Sequence, residues 1–347
     1  MANFRICVFS AVLLAPFLAL AADLPLVTWQ GETMGSAYVV KIAGTNLAPA
    51  QIEALKSAVD QGLKEVNRQM SHYDPDSELS RFNRAPVKTP CKVSPEFARV
   101  LRLALDLNRR SGGAFDPTLG PVINLWGFGE RGGQRRVPSD EALRAALAKT
   151  GCAHLRVTDD DELVKDIPGL QLNLSAIAKG FGSDTVARVL LGHGLTNFYV
   201  AISGETVTRG LNARGEPWRV GISAPVFEWR PGDPLAGVVP LSGLAISTSG
   251  DYQKYFTDAQ GRRWSHLLDP KTGRPVQHAL GSVSVVATNC TLSDALSTTL
   301  FVLGEVEGLK FIDRFPGAAA LFVVRRADGT FTNLPSATFR AMTGYQP

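Results

Sequence analysis

An α+β fold, with antiparallel-rich sheets and packed helices, is what this 347-residue sequence predicts. Helical apolar spacing is concentrated in the first half, and strand-like alternation dominates from Asn197 onward. The two do not alternate in the strict βαβ order of a doubly wound sheet. Apolar residues make up 45% of the chain, ample for a packed core.

The chain opens on a segment that reads as a signal peptide, residues 1–21, with 22–347 as the functional domain. Arg5 supplies a positive n-region, Ile6 to Leu20 is almost unbroken apolar sequence, and Ala19-Leu20-Ala21 fits small-x-small cleavage before Ala22. The stretch is short against the roughly 20 residues a membrane span requires. No cysteine follows it where a lipoprotein needs one. An exported protein is expected, periplasmic in a Gram-negative source.

Thr28 to Ile42 carries strand-like alternation, interrupted at Met34-Gly35-Ser36. Ala50 to Met70 has helical spacing through Ile52, Leu55, Val59, Leu63 and Val66, and Ser94 to Ser111 repeats it through Phe97, Val100, Leu101 and Leu105. Between them a polar turn, Ser71 to Glu78, opens a short helix. Gly112-Gly113 stops the second long helix and Pro117 prevents its resumption. A polar loop over 131–139 precedes a helix over Asp140 to Lys149. Strands are predicted at His154–Thr158 and Gly169–Leu174, after which Ser175 caps a helix ending near Gly192–Gly194. Further strands follow at Phe198–Ile202, Trp218–Ile222, Gly237–Leu241 and Leu244–Thr248, then a hairpin across Asp258–Gly261. A strand at Ser282–Ala287 leads into a helix over Cys290–Gly304.

The net charge is +4 with no long basic run, so nucleic-acid binding is not the default. Past the leader the cysteines are Cys91, Cys152 and Cys290, an odd set without paired spacing, neither a disulfide framework nor a zinc site. A Cys91–Cys152 bridge stays open, and Cys290 reads as an ordinary buried thiol.

Chemistry concentrates at five places. In the Cys290–Gly304 helix, Asp294 and Thr298 lie four apart on one face, a carboxylate and hydroxyl that suit a hard cation such as Mg2+. Thr291-Leu292-Ser293-Asp294 equally fits a capping box. Asn173 to Asp184 is a strand-to-helix junction suited to an anion, with Lys179 either at a phosphate or solvated. Gly180 and Gly182 inside that helix imply close approach of a ligand or a neighbouring backbone. Ile246 to Tyr252 brings small hydroxyls, Thr248 among them, to a strand end. His266 precedes an Asp269-Pro270-Lys271-Thr272-Gly273 turn and is the proton-transfer candidate, with a structural histidine as the other reading. Met34, Tyr73, Ala114, Phe115 and Asp116, unaccompanied by a Lys/Arg cluster, suit a flat ligand with an apolar face.

Taken in order, these blocks resemble the FAD:protein FMN transferases, exported flavin transferases once filed under thiamine biosynthesis. The matching runs are Thr33-Met34-Gly35-Ser36, Met70-Ser71-His72-Tyr73 through Phe82-Asn83, Gly113 to Pro121, Trp126 to Gly129, Ala178-Lys179-Gly180, Thr248 to Tyr252, Ser265-His266 with Asp269-Pro270, and Asp294-Ala295 to Thr298. The resemblance implies a T-fold-like flavin transferase architecture. It implies an FAD site lined by Met34, Tyr73, Ala114, Phe115, Asp116, Ser175, Phe181 and Leu268, which Lys179 and Thr248 join from the anion-suited junctions. It also implies Mg2+ held by Asp294, Thr298 and the Ala178 carbonyl, with Ser297 beside them. The implied reaction moves FMN from FAD to a Thr or Ser hydroxyl of an acceptor redox protein and releases AMP. With water as acceptor the same site is an FAD pyrophosphatase, and without chemistry it is a flavin-binding protein. Asn173, Ser203 and Phe181 depart from the family's usual Asp, Gly and Tyr.

Overall fold

The computed structural model describes residues 23–129, 134–228, 230 and 232–346. The segment read as a signal peptide lies outside the described residues, as does part of the 131–139 loop. In chain order the elements are β1 (Leu26–Thr33), β2 (Ser36–Ala43), α1 (Pro49–Met70), α2 (Glu78–Arg84), β3 (Cys91–Lys92), α3 (Pro95–Arg110), α4 (Gly120–Leu125), α5 (Asp140–Leu147), β4 (Leu155–Val157), β5 (Glu162–Lys165) and α6 (Ala178–Gly192). There follow β6 (Phe198–Ile202), β7 (Glu205–Arg209), β8 (Trp218–Ser223), β9 (Leu235–Leu241), β10 (Ala245–Gly250), β11 (Tyr255–Thr257), β12 (Arg263–Ser265), β13 (Leu280–Ala287), α7 (Cys290–Ile312), β14 (Ala318–Arg325), β15 (Phe331–Pro335) and α8 (Phe339–Thr343).

An eight-stranded antiparallel sheet in the order β1-β2-β6-β7-β10-β13-β14-β15 organises the molecule. Its centre is covered on both faces. Along β13, Val283, Val285 and Ala287 pack into one apolar core with Leu296, Leu300 and Phe301 of α7, while Val286 joins a second core with Val220 and Ile222 of β8 and Phe339 of α8. This is the period of two read out against two covers. The β2–β6 half buries Val40, Ile42, Phe198 and Val200 beneath Leu55 and Val59 of α1 and Val186 and Leu190 of α6. Ser77, Ser94 and Ser139 cap α2, α3 and α5, each accepting the backbone N–H of the third residue of its helix.

Three expectations need correction. Gly169–Leu174 makes only an isolated bridge, Leu119 to Gln171, because a side chain supplies the ladder: Asn83 donates to the Leu172 carbonyl (3.0 Å) and accepts its N–H (2.7 Å). The strand beside β4 is instead β5. Ser175 does not cap α6; that helix begins at Ala178 behind Ile177, and Ser175 sits in a turn whose N–H goes to the Asn173 side chain (3.0 Å). The C-terminal helix also runs on past Gly304 to Ile312, kinked there at φ 75°. At that break His278 Nε2 meets the Phe301 carbonyl at 2.8 Å. Strands β7, β14 and β15 and helix α8 add to the predicted set.

Two hairpin turns end the sheet on the side where β10 and β13 run on. Met34 and Gly35 both hold positive φ (51° and 70°) between β1 and β2, as tight two-residue hairpins require. Ser203, between β6 and β7, holds φ 60° with an ordinary side chain. A left-handed L-residue costs roughly 1–2 kcal/mol. Ser203→Gly is therefore expected to stabilise the fold by about 0.5–1 kcal/mol, offset in part by glycine's greater chain entropy. Urea denaturation of the two proteins measures it.

Candidate active site

The N-termini of α6 and α7 are locked together reciprocally. The Gly180 N–H of α6 donates to Asp294 Oδ2 of α7 at 2.8 Å. In return Asp184, one turn along α6, accepts the Cys290 N–H and Thr291 N–H, both at 2.8 Å, and the Thr291 hydroxyl at 2.5 Å. The approach demands glycine: a Cβ on Gly180 would lie 2.2 Å from the Cys290 carbonyl oxygen and 2.7 Å from Asp294 Cβ. At Gly182 a Cβ would lie 2.8 Å from Met34 Cε. The two helical glycines thus answer to a neighbouring helix and a cavity-lining methionine. The capping role belongs to Asn289, whose side chain accepts the Leu292 N–H at 2.9 Å, so Asp294 is not the cap of its own helix.

Asp294 is 4% exposed. Desolvation, then the neighbouring Glu205, pushes its carboxyl up to about 7, against Lys179 and the Gly180 N–H. Lys179 itself pairs with Glu205. Burial opposes the Lys179 charge, but Glu205 and Asp294 outweigh it and its pKa is raised. Among the described residues no cation forms a salt bridge with Asp294. Around it stand hydroxyls. Ser249 of β10 bonds Ser297 (2.8 Å) and Thr298 (3.1 Å), and Ser297 donates to the Asp294 carbonyl at 2.8 Å. No cluster of three His, Cys, Asp or Glu side chains suited to a metal occurs among the described residues.

A single cavity of about 1310 Å³ opens beside this clasp. Met34, Tyr73, Ala114, Phe115, Asp116, Ser175, Ala178, Lys179, Thr248, His266, Leu268, Asp294 and Thr298 all line it, from seven separate stretches of chain. Two residues stand apart. Phe181 lies in the core with the Arg99 and Arg188 guanidinium groups over its ring, and Ser297 is buried behind the wall. Asp116 is fixed by the Thr118 N–H (2.7 Å) and hydroxyl (2.6 Å), and Cys152 Sγ lies 3.3 Å from it. Cys91 and Cys152 are both free thiols, so the bridge left open by the sequence is absent.

His266 Nδ1 lies 3.0 Å from the Lys254 carbonyl. Donating there leaves Nε2 unprotonated, the tautomer a base needs. Desolvation, with Lys254 second, pushes the imidazole down to about 4, so the ring is neutral at physiological pH. Sequence reading missed the cations. Lys41, Arg135, Arg219 and Lys254 reach the same cavity as Lys179, although no stretch of sequence clusters them. It also missed Glu205 and the bond made by Asp184. The Asp184 bond had a signal, since Gly180 and Asp184 are four apart on one helix face.

A family model described as the ApbE family matches residues 34–322. The chain belongs to that family. It is 40% identical over 343 residues to the FAD:protein FMN transferase of Vibrio cholerae serotype O1, covering 98% of each chain, and 38% identical over 339 residues to that of Haemophilus influenzae, covering 96% of each. Among solved structures it is similar to the flavin transferase ApbE from Vibrio cholerae, at 39% identity and TM-score 0.83 over 92% of this chain and 99% of that one. The Pseudomonas stutzeri flavinyl transferase ApbE, apo form, matches at 38% identity and TM-score 0.83 over 94% and 99%. The mixed helix and antiparallel-sheet architecture of ApbE flavin transferases is therefore the architecture of this chain.

Overpacking the clasp has a predictable cost. Gly180→Ala should destabilise the fold by about 1–3 kcal/mol. Gly192→Ala, at the open end of the same helix where an added Cβ meets nothing within 4 Å, should stabilise by about 0.5–1 kcal/mol. Denaturant titration of both variants checks the pair.

Proposed function

We propose that this chain transfers FMN from FAD to a threonine or serine hydroxyl of an acceptor protein, with release of AMP and in the presence of Mg2+. The observation that carries the reading is the buried, unmatched Asp294 carboxylate. It sits among hydroxyls at the meeting point of two helix N-termini and opens onto a cavity with aromatic and cationic walls. Membership of the ApbE family, and the names of the relatives above, supply the substrate class.

The donor set around Asp294 is oxygen throughout, which fits a hard divalent cation and not a thiophilic one. Asp294, Thr298 and the Ala178 carbonyl would hold Mg2+, with Ser297 steadying Asp294 through its own carbonyl. When bound, the ion offsets charge on the pyrophosphate and on the departing phosphate. Met34, Tyr73, Ala114, Phe115 and Leu268 supply apolar wall for the flavin ring, while Asp116 and Ser175 supply polar anchors. Thr248 closes the wall on the strand side. Lys179 and Lys254 face the phosphates. The acceptor oxygen bonds the FMN-side phosphorus as the bond to the bridging oxygen of AMP breaks. His266 Nε2 takes the acceptor proton.

The acceptor in this reading is an exported redox subunit, and the site of action is the periplasm. No helix among the described residues is long and apolar enough to cross a membrane. Mass spectrometry of such a subunit after incubation with the enzyme, FAD and Mg2+ should show one added FMN. Absence of any adduct across candidate subunits counts against the proposal.

Asp294→Ala should abolish transfer while the protein stays folded, as read by circular dichroism. His266→Ala should lower kcat by about 10²–10⁴-fold, with FAD affinity kept. The metal has a readout apart from turnover. A carboxyl raised from 3.8 to about 7 contributes stability that is present at low pH and lost as pH rises through that window. A cation that takes the proton's place restores it. Mg2+ should therefore raise Tm more at pH 8 than at pH 5, and Asp294→Asn should remove the difference.

A further inference from the structure

Strand β10 outruns its neighbour. Asp251 N–H donates to the Gly281 carbonyl, which sets the register with β13 and turns the bonding groups of Ser249 and Ser247 toward that strand. Ile246, Thr248 and Gly250 therefore point their N–H and C=O groups the other way. On that side β7 pairs with β10 only at Ala245 and Ile246. The position opposite Thr248 falls on Gly204, where the chain has already turned back toward β6, and the Gly204 N–H goes to the Glu205 carboxylate at 3.2 Å. The main-chain groups of Thr248 and Gly250 thus border the cavity with no strand partner among the described residues. The Thr248 hydroxyl is engaged elsewhere, with Ser284 at 2.7 Å.

This open edge runs through the reacting centre. Ser249, between Thr248 and Gly250, bonds Thr298, one helical turn from Asp294. The Lys254 carbonyl that orients His266 lies four residues past Gly250. A strand laid against β10 sits about 4.8 Å away. Its side chains would alternate between the α7 face, toward Asp294, and the opposite face of the sheet. The cavity has room for it: 1310 Å³ exceeds the roughly 300–1,000 Å³ of a small-ligand pocket. Its lining also continues onto that opposite face along Trp218, Arg219 and Val220, where Trp218 and Tyr199 pack at 5.9 Å.

We propose that the acceptor protein docks by adding an extended segment to the open edge of β10, in the place β7 vacates. Its main chain bonds Thr248 and Gly250, and its hydroxyl side chain points at Asp294 and His266. The proposal rests on the transferase reading and deepens it by assigning how the macromolecular substrate is held. Main-chain pairing fixes the depth and facing of the hydroxyl while leaving most of the acceptor's side chains unread.

Hydrogen exchange followed by mass spectrometry on the full chain tests it. The probe is an exported redox subunit shown to gain FMN, with its modified threonine or serine changed to alanine so that the complex persists. The Thr248 and Gly250 amides should exchange at least tenfold more slowly with this protein present than with FAD and Mg2+ alone. Equal protection by FAD alone would give the edge to the flavin and overturn the proposal, as would no added protection by the acceptor. A second arm uses a synthetic peptide spanning the acceptor residue, N-methylated at one amide at a time. Transfer should fall at alternate positions; a uniform or absent effect overturns strand addition. If the unaltered acceptor gains no FMN, the transferase reading itself fails, and that outcome is separately visible.

Discussion

The exchange of hydrogen bonds between α6 and α7 is the constraint from which the rest follows. Asp294 reaches across to a backbone N–H of α6, and Asp184 reaches back to two backbone N–H groups of α7. Each helix start has donors its own turns cannot satisfy, and each carboxylate answers the other helix's need. The contact brings main chain against main chain, so it tolerates no side chain at Gly180. It also fixes a carboxylate at the junction of two positive helix ends, in a place too dry for it to ionise as it would in water.

The sheet converts this local contact into a site. Strands β13 and β14, covered on both faces, form a wall against which α7 packs, and the Ser247–Ser293 and Ser249–Thr298 bonds fasten that helix to the adjoining β10. The hairpin turns at Met34 and Ser203 stop short on one side, and the notch they leave becomes the cavity. Cations then arrive from β2, β8, α6 and two loops, and no single segment is basic. The positive lining is a product of topology.

Much of this could be read from the residues. Regular apolar spacing located α1, α3, β6 and β13, and the Asp294–Thr298 pair with the two helical glycines located the clasp. What escaped did so for identifiable reasons. Strand β14 is apolar on both faces, so Ala-Ala-Ala-Leu-Phe-Val-Val offers no alternation to detect. Gly169–Leu174 has strand-like letters, and its apolar side chains do face the core, but it pairs only through an isolated bridge to Leu119 and the side chain of Asn83. The Lys/Arg lining and the role of Glu205 depend on contacts between distant segments, which one sequence does not encode in its local pattern. Phe181 sits in a helix beside the cavity, yet helical phase turns it into the core.

The break at Gly304 divides α7 into two mechanical parts. Upstream of it the helix is seated on β10 and β13; downstream, Gly308 packs under Phe322, and His278 satisfies the carbonyl of Phe301 at the joint. With the main-chain ladder interrupted there, fraying or thermal opening that begins at Ile312 has no continuous path to Asp294. Motion at the far end of the helix can therefore leave the Asp294 end in place.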